Sequence, residues 1–162
     1  MNKLTEFYRR LPKKSFITLS IVIFILCDLL VLGHLYGIYS NKEIFTNSVQ
    51  VSFEITGADT SQVDQNTIDG LYALFHRTLV IVLALAFLFH MIMYCVLYLE
   101  YSIGKSYSKF LATIGGPILI LWGLSLLIER SPIGMMFILL GSTVFSLRLG
   151  QKIHLKPENL AQ

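Results

Sequence analysis

The sequence predicts an all-α integral membrane protein, a bundle of four transmembrane helices, and three observations predict it. Apolar runs extend from Phe16 to about Ile38, Leu71 to Leu99, Phe110 to Ile128 and Ile133 to Leu147. The first three are of a length that crosses a hydrocarbon core of about 30 Å at about 1.5 Å per residue, and the shorter fourth is expected to cross as well. Charged residues make up only 14% of the chain, against about 25% in soluble domains. Finally, the basic residues are segregated. Lys3, Arg9, Arg10, Lys13 and Lys14 precede the first run, Lys105 and Lys109 lie between the second and third, and Arg148, Lys152 and Lys156 follow the fourth. Four crossings put these ten on one side and leave Lys42 and Arg130 on the other, so the positive-inside rule predicts that both termini are cytoplasmic. A single membrane domain spanning 1–162 in a plasma or bacterial inner membrane is expected. The net charge of +3 suits anionic lipid headgroups at the basic ends, and nucleic acid is not an expected partner.

Residues 1–14 form a basic segment in which Leu4, Phe7, Tyr8 and Leu11 recur at i, i+3, i+4 and i+7. That spacing predicts a short amphipathic helix in the cytoplasmic interface, ended by Pro12. The first apolar run is too long for a cleaved signal peptide and reads as a retained signal anchor. Tyr36, Tyr39, Tyr72 and Trp122 near the outer ends, with Tyr98, Tyr101 and Tyr107 near the inner ones, fit aromatic interface belts.

The loop 39–70 is acidic, with Glu43, Glu54, Asp59, Asp64 and Asp69 against Lys42. Val49, Val51, Phe53 and Ile55 alternate with polar residues there, which predicts a β-strand closed by Gly57. A strand with no second strand in its loop leaves backbone groups unpaired, so these four residues are expected to add to a partner or sister chain, or to fold onto the helix ends. Asp59, Thr60 and Ser61 supply N-cap candidates for the helix that follows.

Small residues mark where helices meet: Gly33 and Gly37 in the first span, Ala112, Gly116 and Gly123 in the third, Gly134 and Gly141 in the fourth. Gly115-Gly116-Pro117 predicts a kink within the third span. Ser131 and Pro132 read as N-cap and first residue of the fourth, making spans three and four a tight antiparallel hairpin.

Ionisable side chains within the spans are the candidate functional residues. An acid at the bilayer centre costs roughly 2.5 to 3.5 kcal/mol on insertion scales. Asp28 lies about 18 Å and His90 about 14 Å from the inner ends of their runs, so the two are expected to meet. They form either a proton or cation relay or an interhelical hydrogen bond that fixes helix pairing. His34, His76 and Arg77 make a second polar level near the outer boundary, read as interfacial anchors. His76 and His90 share a helix face at the fourteen-residue spacing of helices that hold two stacked haems, but histidines at matching heights on another helix are missing, so no haem is expected. Cys27 and Cys95 have no Cys-x-x-Cys partner and read as buried thiols, and no His/Cys cluster has metal-ligand spacing. No cofactor or metal is expected.

No catalytic motif appears. The expected function is therefore a non-enzymatic integral membrane subunit or scaffold that associates with itself or with partner membrane proteins through its small-residue helix faces and acidic outer loop. The alternative is an oligomeric proton- or ion-coupled carrier with Asp28 as protonation switch and His90 as relay.

Overall fold

A computed structural model describes residues 3–56 and 64–155. Seven α-helices make up nearly all of it: α1 (Lys3–Arg10), α2 (Lys13–Tyr39), α3 (Lys42–Thr56), α4 (Gln65–Tyr98), α5 (Ser102–Phe110), α6 (Gly116–Ile128) and α7 (Ile133–His154). A π-helical turn at Leu111–Gly115 joins α5 to α6. Four stretches are long and apolar enough to cross a membrane: α2, α4, the continuous α5–α6 segment from Ser102 to Ile128, and α7. These spans cover the four apolar runs, save Leu99 at the end of the second, and extend beyond them, because polar flanks such as Gln65–Gly70 and Ser102–Lys109 continue the same helical turns.

The expected strand is overturned. Val49, Val51, Phe53 and Ile55 all lie on α3, and the described residues contain no strand. Helix formation starts at Asn41, whose side-chain Oδ1 accepts from the backbone N–H of Glu43 (2.9 Å) and Ile44 (3.3 Å), the arrangement of an N-cap. Thr46, Ser48, Ser52 and Thr56 donate their hydroxyls to carbonyls four residues back, so these four hydroxyls are satisfied within the helix. A helix closes its own backbone hydrogen bonds, whereas a lone strand cannot. The same residues also carry a stripe at four-residue spacing, Phe45, Val49 and Phe53, which lines one wall of an apolar groove of about 540 Å³ with Tyr39, Leu71 and Phe75 opposite.

The N-cap candidates Asp59, Thr60 and Ser61, with Gly57, lie outside the described residues. Asp64 occupies the position before α4: its carboxylate accepts from Thr67 N–H at 2.6 Å, and that backbone hydrogen bond holds its pKa below the usual carboxylate value.

The chain separates into two compact units. One comprises Met1–Leu29 with His90–Gln162, and the other Leu30–Phe89. In the first, α6 and α7 form an antiparallel hairpin. Arg130, with φ of 61°, turns the chain, and its N–H bonds Leu127 O while Ser131 N–H bonds Leu126 O. Together these bonds make a Schellman closure. The expected cap is displaced by one residue: Pro132 stands at the cap position and no side-chain cap bond forms, because proline carries no side-chain acceptor. The same closure ends α4, with Glu100 at φ 61°, Glu100 N–H on Leu97 O and Tyr101 N–H on Val96 O.

Pro117 sits in the first turn of α6 directly after the π-turn, and Gly116 N–H reaches back five residues to Leu111 O. Widening the helix by one residue makes room for the proline ring, which in a regular α-helix would collide with the carbonyl four residues earlier.

Three further ties hold this unit together. Gln151 Nε2 donates to both the carbonyl (2.9 Å) and the hydroxyl (2.8 Å) of Ser108. Tyr8 and Ser146 hydroxyls share a hydrogen bond of 2.8 Å, joining α1 to α7. Phe16, fully buried, stacks on the His154 ring with centroids 5.0 Å apart.

Candidate functional site

Asp28 and His90 meet. Asp28 falls in the middle of α2, a helix apolar on all sides, and is only 8% exposed. A carboxyl group in such surroundings is tolerated when its oxygens are occupied. Both are: Asp28 Oδ1 lies 2.6 Å from His90 Nδ1, and Asp28 Oδ2 accepts a hydrogen bond of 2.6 Å from the Tyr94 hydroxyl. His90 and Tyr94 are four residues apart on α4, which places them one above the other on the face that meets α2. The cluster is closed by rings. Phe24 stacks on Tyr94 at 5.8 Å, and the His90 ring meets Tyr107 of α5 edge-on at 5.9 Å. Cys27 lies buried beside Asp28 on the same helix.

This arrangement has a defined chemistry. A single proton shared by the imidazole and the carboxyl group would sit on either side of this 2.6 Å contact, giving an ion pair or a neutral acid beside a neutral base. The hydrogen bond persists in either form. Tyr94 donates to the second oxygen throughout, so the carboxyl group is oriented whichever partner carries the proton.

Tyr94 escapes the sequence reading although its four-residue spacing from His90 is a usable signal, since two polar groups one turn apart both reach a carboxyl group opposite. Tyr107, expected in an interfacial belt, has its ring edge-on to His90. The pairing of Lys13 with Glu100 carries no sequence signal, because the two are 87 positions apart.

The second polar level is looser. His76 lies between two tyrosines of its own unit, with Tyr36 OH 3.3 Å from its Nε2 and the Tyr72 ring at 5.9 Å. His34 is half-buried on α2 and Arg77 is exposed. Among the described residues no three His, Cys, Asp or Glu side chains are grouped so as to hold a metal ion. Cys27 is buried and Cys95 exposed, so only the first matches the expectation of a buried thiol.

Small residues divide sharply. A Cβ placed on Gly116 would stand 3.0 Å from Gly141 O, and one on Gly141 2.8 Å from Gly116 O; Gly123 and Gly134 face each other in the same way. Ala112 is fully buried on the same side of the α5–α6 segment. Gly33 and Gly37 differ: no described atom lies within 4 Å of a Cβ added at either. Two further glycines at close approaches were not singled out in the sequence, Gly104 against the backbone of Leu97 and Gly150 against the Phe16 ring.

No family model matches this chain, and no curated protein or solved structure is significantly similar to it.

Proposed function

We propose that the chain is a non-enzymatic integral membrane subunit that associates with a further transmembrane helix, from a sister chain or another membrane protein, along the Gly33–Gly37 face of α2. The observation that carries this reading is the contrast among glycines. Gly116, Gly123, Gly134 and Gly141 each lie against a neighbouring backbone, while Gly33 and Gly37, one turn apart on a membrane-length helix, have no described atom against them. Small residues one turn apart let a second backbone approach closely, and in lipid that packing is a principal source of helix association. On this reading the chain crosses a plasma or inner membrane four times with both termini cytoplasmic, which the positive-inside rule supports.

Native mass measurement in lipid nanodiscs tests it. The expected species is heavier than one chain, and Gly33→Ile with Gly37→Ile reduces it to a monomer with unchanged helix content. A wild-type protein that is strictly monomeric and carries no partner removes the proposal.

A second reading is favoured by one specific observation, the buried carboxyl group shared by His90 and Tyr94. In it the chain is a proton-coupled carrier, with Asp28 exchanging its proton with His90 during the transport cycle. Proton flux into vesicles carrying the purified protein decides between the two: flux abolished by Asp28→Asn supports the carrier, and flux absent or unchanged in that variant removes it.

A further inference from the structure

The outward side of α1 is a surface whose geometry and charge together name an occupant. Successive residues of a helix are about 100° apart around its axis. Phe7, Leu4 and Tyr8 of α1 therefore occupy one arc, and Thr5, Arg9, Glu6, Arg10 and Lys3 the rest. The apolar arc is split. Tyr8, 3% exposed, turns inward to the Ser146 hydroxyl, and its carbonyl accepts from His154 Nε2 at 2.8 Å. Leu4 and Phe7, on the other side of the same arc, are 36% and 50% exposed. The helix is thus bolted to α7 along one edge while two large apolar side chains face away from the protein.

The charge around it is one-sided. Arg10 pairs with Glu6 within α1, and Lys13 pairs with Glu100. The same unit also carries Lys3 and Lys14, with Lys109, Arg148 and Lys152 exposed, and Glu6 and Glu100 are the only glutamates described near this end.

We infer that α1 is an in-plane anchor for an anionic bilayer leaflet: Phe7 and Leu4 enter the acyl boundary, and the basic arc gathers anionic phospholipid headgroups around the base of the bundle. An amphipathic helix with a basic polar face binds a membrane surface by this combination of buried apolar area and attraction to anionic lipid. The docked Tyr8 makes this anchor unlike a free basic tail. Its depth is set by the bundle, and the headgroups it collects are held against α7. The inference rests on the chain being membrane-embedded and is independent of whether Gly33 and Gly37 meet a partner.

Brominated lipids test it on the full-length protein. A single tryptophan is placed at the surface by Phe7→Trp in a Trp122→Phe background, and the protein is reconstituted in mixtures of phosphatidylcholine and phosphatidylglycerol with either lipid brominated in its acyl chains. Brominated phosphatidylglycerol should quench this tryptophan with an apparent affinity about fivefold above that of brominated phosphatidylcholine, the preference expected from one Lys or Arg near an anionic surface. Arg9→Gln with Arg10→Gln, or high salt, should return the two lipids to parity. Quenching blind to headgroup charge overturns the inference. So does emission typical of a water-exposed indole, or an indole shielded from water yet unquenched by either lipid, which would mean that a second copy or another protein covers α1. Retention of phosphatidylglycerol over phosphatidylcholine by the wild-type protein in native mass spectra is a second readout, free of substitutions at Phe7; equal retention counts against the inference.

Discussion

Gly123 and Gly134 face each other across the α6–α7 hairpin so closely that a Cβ on either would stand 2.6 Å and 2.5 Å from the other's carbonyl oxygen. The nearest atoms are backbone, which cannot rotate aside. Gly123→Ala and Gly134→Ala should each separate the helices and destabilise the protein by about 1 to 3 kcal/mol, the usual cost of overpacking. Gly33→Ala and Gly37→Ala meet no described atom, and should leave the stability of the isolated chain unchanged or raise it by up to about 1 kcal/mol through helix propensity. Unfolding by a denaturing detergent, with helicity as the signal, measures both pairs.

Removal of Asp28 strands the Tyr94 hydroxyl. In Asp28→Ala that buried donor loses its acceptor, and a buried unpaired polar group costs about 1 to 3 kcal/mol. Tyr94→Phe removes one donor and leaves the Asp28–His90 bond in place, so its effect should be smaller, about 1 kcal/mol. Combining the two substitutions should cost less than their sum, because both delete the same hydrogen bond. A double-substitution cycle in the same unfolding assay reads this coupling, and strict additivity would show that the Tyr94–Asp28 bond contributes nothing.

The spans and the meeting of Asp28 with His90 were legible in the sequence for a common reason. Apolar run length is a local property, and two ionisable groups at similar depths in adjacent spans have few alternatives but each other. α3 was not legible. Its residues satisfy two periods at once, alternating at Val49, Val51, Phe53 and Ile55 while repeating every fourth residue at Phe45, Val49 and Phe53, and the alternation is the more conspicuous of the two. Asn41 held the deciding signal, since an N-cap residue ahead of Glu43 marks a helix start. Ties such as Tyr8 with Ser146 and Ser108 with Gln151 have no such local trace, because they join residues more than forty positions apart.

Glu100 makes the protein sensitive to acid. Its carboxyl group is held below its ordinary value of 4.5, first by the hydrogen bond from Lys13 and then by the charges of Lys13, Lys105 and Lys14. A lowered pKa means that the folded state favours the ionised form. The stabilisation is complete above the ordinary value and disappears as pH falls through the lower folded one. With Lys13 39% and Glu100 30% exposed, solvent screening limits the effect to the range of surface pairs, about 0 to 1 kcal/mol. Glu100→Gln should flatten the acid limb of the stability profile below that pH while leaving neutral-pH helicity intact.

Arg130 and Glu100 share the same left-handed backbone, φ 61°, a conformation that costs a residue with a Cβ about 1 to 2 kcal/mol relative to glycine. Arg130 is exposed and serves no described ion pair that glycine would break. Arg130→Gly should therefore stabilise the α6–α7 hairpin by about 1 kcal/mol. Glu100→Gly should give less, because it removes the Lys13 pair while relieving the same strain; equal gains would mean that the pair is without effect on stability.

Single cysteines placed along 44–56, in a background with Cys27→Ala and Cys95→Ala, discriminate helix from strand directly. On α3, Val51 and Ile55 are 51% and 80% exposed, whereas Phe45, Val49 and Phe53 line the groove with Tyr39 and Phe75. Reactivity toward a membrane-impermeant thiol reagent should rise at 51 and 55 and fall at 45, 49 and 53, repeating every three to four residues. A strand with its odd-numbered side chains on one face would treat 49, 51, 53 and 55 alike and oppose them to 50, 52 and 54. The contrast between 49 and 51 decides the matter, since a helix separates these two positions by about 200° and a strand puts them on the same face. Uniform reactivity at 49, 51, 53 and 55 would restore the alternating reading of this loop and remove the apolar groove with it.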